Sequence, residues 1–142
     1  MPGGRTFRAT GSYSRRLRYS RCHGSCAARG MHSPLRQQLL EQTLHVIELA
    51  RPLVEAVARR DRDLASQVRR ALSSVALNLA EGFGSAAGNA RLRFESARGS
   101  LYEAQAGLRV AIAWGYFSAE SCAAALESID RLGARVFGLC RR

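Results

Sequence analysis

From residue 33 onward, apolar side chains recur at three- and four-residue steps, the spacing that gathers them on one face of an α-helix. The first run opens with Ser33 and Pro34. Serine is a favoured N-cap, and proline suits the first helical position, where its missing N–H would have had no partner. Leu35, Leu39, Val46, Ala50, Val54 and Val57 mark the core face, Leu40, Leu44 and Ile47 widen it, and the helix is predicted to end near Arg59 or Arg60. Pro52 lies inside this run, removes one hydrogen bond and is expected to kink the helix near Glu48.

Three more runs follow. Asp61 or Asp63 can cap a second helix with Leu64, Val68, Leu72, Val75 and Leu79 as its stripe, ended by Gly82 and Gly84. Ala71 to Ala80 carries no charge, and Leu77 points away from the stripe. A helix that is apolar nearly all round is covered nearly all round, so Leu77 is expected at a contact with another subunit. The third helix, about Asn89 to Gly115, has Phe94, Ala97, Leu101, Ala104, Leu108, Ala111 and Ile112 as its core face. Ser118 can cap a fourth, with Cys122, Leu126, Ile129, Gly133, Val136 and Cys140 inward and Glu127, Arg131 and Arg135 outward. No stretch alternates as a strand would. Four amphipathic helices with short links predict an all-α fold, an antiparallel up-down-up-down four-helix bundle over residues 31–142, with no room for a second domain.

Charge changes this picture at one end. The 142 residues carry 22 basic and 11 acidic side chains, a formal charge of +11, and every basic residue is arginine. Residues 1–30 hold seven of the arginines and no acid, are rich in Gly and Ser, and show no apolar period. Such a segment cannot bury a core and is expected to be a disordered basic tail. Three readings of it stay open: a nucleic-acid-binding arm, a transit peptide, or translated upstream sequence, with Met31 the true start. Residues 31–142 hold fifteen arginines against eleven acids, a balance of +4. The longest uncharged stretch is about ten residues, whereas a membrane-spanning helix needs roughly twenty apolar ones. No membrane partner is expected.

The candidate chemistry is sparse. Cys22, His23, Cys26 and His32 lie close together, but their spacing matches no common structural zinc pattern, so no metal is expected. Cys122 and Cys140 read as buried thiols acting as small hydrophobes, and nothing demands an oxidising compartment, which makes the cytoplasm the default. Asn78 and Glu81 on the second helix, with Ser100 and Glu103 on the third, offer two carboxylates with polar neighbours. Acid–base catalysis can use such a pair. Without a neighbouring histidine, a metal-type Glu-x-x-His or a phosphate loop, the four are read as a structural polar network: Asn78 with Ser100, and Glu81 with Arg98 or a helix-end amide. No catalytic residue and no cofactor is assigned.

The arginines are the better candidates. Arg59, Arg60 and Arg62 cluster at the first hairpin, with Arg69 and Arg70 further along. Arg91, Arg98, Tyr102 and Arg109 line one side of the third helix, with Glu95 beside them and Arg93 nearby. Such arrays can follow a phosphate backbone without reading sequence, and Tyr102 can stack on a base.

Two blocks carry a family resemblance. Leu64, Gln67, Arg69-Arg70-Ala71, Ser74-Val75 and Asn78-Leu79-Ala80-Glu81-Gly82-Phe83 form the first; Phe94, Ala97-Arg98-Gly99-Ser100-Leu101-Tyr102-Glu103 and Gly115-Tyr116 form the second. Together they resemble a bacterial four-helix-bundle family whose best-known members are encoded by intervening sequences within 23S ribosomal RNA genes. Ser96 departs from it, standing where an aliphatic residue is usual, and Arg60-Asp61-Arg62-Asp63 replaces a proline-containing link. The resemblance covers residues 33–140. It implies an antiparallel bundle that assembles into rings, commonly pentamers, and it extends to retroelement accessory proteins that bind nucleic acid and a reverse transcriptase. The expected function is therefore a non-catalytic homo-oligomer that binds RNA or other nucleic acid through its arginines. The alternative is a scaffold or accessory subunit for a protein partner such as a reverse transcriptase.

Overall fold

A computed structural model describes residues 33–141. The basic tail and Cys22, His23, Cys26 and His32 lie outside the described residues. Four helices follow one another: α1 (Pro34–Ala58), α2 (Arg62–Gly84), α3 (Ala87–Ala113) and α4 (Ala119–Cys140).

The helix ends follow from local chemistry. Ser33 takes the extended N-cap backbone but forms no side-chain cap bond, so Pro34 alone marks the start of α1. At α2 the cap is Asp61, whose carboxylate accepts a 2.8 Å hydrogen bond from the Leu64 amide. Asp63 instead sits in the first turn, where its negative charge suits the positive end of the helix. Helix α3 begins two residues earlier than its pattern suggests, leaving only Ser85 and Ala86 as the link. At its other end Gly115 turns the chain with φ +70°, a conformation that costs glycine little. Ser118 caps α4 by accepting from the Ser121 amide. The Glu120 backbone amide and the Ser118 hydroxyl hold the Glu120 carboxyl below its usual range.

Pairs of facing residues give the helix directions. Along the α2–α3 contact, Gly82 meets Phe94, Ser74 meets Ser100, and Val68 meets Gly107. Along α3–α4, Gln105 meets Asp130 and Arg98 meets Phe137. One number rises as the other falls, so these neighbours run antiparallel. Helix α4 returns to α1, where Arg135 donates to Gln42 at 2.8 Å and to Gln38 at 3.3 Å. Each helix thus packs on its neighbours in sequence and α4 closes on α1, with α2–α3 the most extensive contact.

The core includes Leu39, Val46, Val57, Val68, Val75, Leu79, Leu101, Leu108, Leu132 and Val136. Helix α1 keeps one core face through Pro52, because Leu53, Val54 and Val57 beyond it are buried. Leu40 and Leu44 are exposed, not part of the core as their spacing suggested. They lie one position beyond Leu39 and Thr43, which rotates them about 100° off the buried stripe. Thr43 takes the core place instead, and its hydroxyl is satisfied by the Leu39 carbonyl at 2.7 Å. Among the described residues no helix is long and apolar enough to cross a membrane.

Candidate nucleic-acid interface

The α1–α2 hairpin places Arg59, Arg60 and Arg62 in solvent at one end of the bundle, with Arg69 and Arg70 exposed further along α2. Gly107 packs against Leu64 and Val68, so the last turns of α3, with exposed Arg109, reach that same end. None of these six arginines forms an ion pair among the described residues. Of the two local carboxylates, Asp61 is committed to its cap and Asp63, exposed in the first turn of α2, forms no ion pair among the described residues. Their charge therefore remains open to solution.

The other arginines of α3 are differently engaged. Arg91 pairs with Glu95 at 3.0 Å and Arg93 with Glu81 at 2.9 Å. Both pairs are exposed and contribute about 0–1 kcal/mol each. Arg98 turns toward α4. Its guanidinium carbon stands 5.9 Å from the centre of the Tyr102 ring and 5.3 Å from that of Phe137. On Phe137 it is joined by Arg141 at 5.5 Å. The stripe Arg91, Arg98 and Arg109 runs beside α4, and its charges bear on the two α4 thiols. Burial pushes Cys122 and Cys140 up, opposed by Arg109 at the first and mainly by Arg98 at the second.

Of the four residues expected in one polar network, only Asn78 and Ser100 are joined, and through Ser74. Asn78 donates to the Ser74 carbonyl at 2.9 Å and to the Ser74 hydroxyl at 3.0 Å, and Ser100 donates to that same hydroxyl at 2.9 Å. Ser74 thus stands between Asn78 and Ser100, which were expected to meet directly. Glu81 bonds Arg93, not Arg98, because Arg98 sits on the α4 side of α3 and Arg93 on the α2 side. Glu103 is exposed and forms no ion pair among the described residues. The Asn78, Ser74 and Ser100 cluster acts as a pin between α2 and α3.

Leu77 is 64% exposed on α2, and Leu92 on α3 is 62% exposed. Leu92, Phe137, Arg141 and Ser74 are functional or bridging candidates that the sequence reading did not single out. Phe137 carried a usable signal, since it follows core residue Val136 and so falls off the apolar stripe of α4. Ser74 stands in the first block of the family resemblance, but a serine beside a core valine does not by its spacing reveal its partner.

The 23S rRNA-intervening sequence protein family matches residues 36–138. No curated protein and no solved structure matches the chain.

Proposed function

The chain belongs to the 23S rRNA-intervening sequence protein family, and from that premise we propose that it is a non-catalytic, self-associating bundle that binds RNA through its exposed arginines. The observation that carries this reading is the set Arg59, Arg60, Arg62, Arg69, Arg70 and Arg109, exposed and without ion pairs among the described residues. Phosphates neutralised by such side chains release counterions, so affinity falls as salt rises. A ring of copies would repeat the array and add the fields of its subunits. A cytoplasmic location and an unmodified pair of α4 thiols belong to the same reading.

Self-association is supported by Leu77 and Leu92, large apolar side chains left in solvent on the outward side of α2 and α3. The same exposure favours the second reading, a docking face for a protein partner such as a polymerase. Light scattering and RNA titration of a shortened chain beginning at Met31 test both parts. A multimer with salt-sensitive RNA affinity is expected. A monomer would remove the ring, and binding confined to the full-length chain would assign it to residues 1–30 instead. Leu77→Arg should shift the multimer toward smaller species. An unchanged size would point Leu77 to another partner.

A further inference from the structure

The groove between α3 and α4 has a chemistry that phosphate contacts alone do not use. Tyr102 from α3 and Phe137 from α4 flank it, and they remain 61% and 44% exposed. Its lining joins the buried side chains of Leu101 and Ile129 to the small residues Gly133 and Ala134, in a cavity of about 210 Å³. A Cβ built on Gly133 meets nothing within 4 Å among the described residues. Arg98 lies across both rings and forms no ion pair among the described residues. The Arg141 guanidinium carbon stands 5.5 Å from the centre of the same Phe137 ring. Asp130, the acid on the wall, is occupied by the Gln105 amide at 2.6 Å. The groove therefore combines exposed π surface with two guanidinium groups that form no ion pair among the described residues.

We propose that this groove is a stacking site for an unpaired base of single-stranded RNA, with Tyr102 and Phe137 as the platform and Arg98 and Arg141 facing the adjoining phosphates. The inference rests on the RNA-binding reading above and adds the form of the ligand. A nucleotide unit carries both a flat π face and a negative charge, which is the pairing the groove offers. An acidic peptide supplies the charge without an obligatory flat face, and an apolar helix supplies neither. A duplex hides its base faces, so only an unpaired base reaches the rings. Cation–π contact holds Arg98 in place before the ligand arrives, which lowers the ordering cost of binding.

The test is fluorescence anisotropy of the full chain with a labelled oligouridine strand and with a labelled RNA duplex, at about 50 mM salt. Tyr102→Ala and Phe137→Ala should each weaken the single strand about tenfold and change duplex affinity less than about twofold, while Phe137→Tyr keeps the wild-type value. Gly133→Leu extends a side chain into the groove from a position whose Cβ meets nothing within 4 Å among the described residues, so it should keep the helical melting curve and lose single-strand affinity. Wild-type RNA binding that none of these changes affects would overturn this inference alone. A variant that altered particle size but not RNA affinity would make the groove a protein contact and also overturn it. Wild-type chain that binds neither RNA would take the reading beneath it down as well.

Discussion

The ring of Phe94 occupies the space that a side chain at residue 82 would need. A Cβ on Gly82 would overlap the ring and stand 2.8 Å from its Cδ1 atom. Gly82 is therefore what lets α2 and α3 approach at this end, and the same ring meets Phe83 edge-on with centroids 5.2 Å apart.

Gly82→Ala should destabilise the chain by about 1–3 kcal/mol, as overpacking of a tight core does. Gly99→Ala is the contrasting case. Nothing lies within 4 Å of its built Cβ, so removing a mid-helix glycine should stabilise by about 0.5–1 kcal/mol. Urea denaturation of both variants checks the pair. A neutral Gly82→Ala would show that Phe94 can move aside at no cost.

Ser74→Ala removes the acceptor shared by Asn78 and Ser100. A loss of about 1 kcal/mol is expected. The double variant Ser74→Ala, Ser100→Ala should lose less than the sum of the two singles, because the second change removes a donor already without its partner. Additive losses would mean the two serines do not act together.

The α4 thiols give a pH dependence. An unfolded cysteine ionises near its ordinary value of 9.0, and burial pushes Cys122 and Cys140 above it. The folded chain thus holds these protons more tightly. Their contribution is fully present below about pH 9 and is lost as pH rises through the folded values. The urea midpoint should fall in alkaline solution, and Cys122→Ala should flatten that fall. An identical slope in the variant would assign the effect to other groups.

Replacing Arg59, Arg60 and Arg62 together by Gln should reduce the salt slope of RNA binding by about 2–3. Stability should stay within about 0.5 kcal/mol for each change, since the three side chains are exposed and without ion pairs among the described residues. Arg93→Gln should matter less to binding, because Glu81 already offsets that charge. A slope that does not move would place the phosphate contacts elsewhere on the bundle.

Much of the fold is legible residue by residue. Leu39, Val46, Val68, Val75, Leu101, Leu108 and Val136 are buried where their spacing puts them. Asp61 and Ser118 cap where their positions predict. Leu40 and Leu44 show the limit, since a wide apolar stripe does not say which edge of it the neighbours cover. The arginine stripe of α3 was legible as a stripe. That Glu81 holds Arg93, off the stripe, while two rings hold Arg98, on it, was not.

The four helices, the caps at Asp61 and Ser118, most of the core positions and the family follow from the sequence alone. These depend on backbone hydrogen bonds and on a 3.6-residue period, both set within a few positions of each residue. The tertiary structure decided that Ser74 bridges Asn78 and Ser100, that Phe94 fills the space beside Gly82, and that Phe137 meets Arg98. Those contacts join residues on different helices. They depend on how far each helix is rotated and shifted against the next, which only packing of the whole core sets.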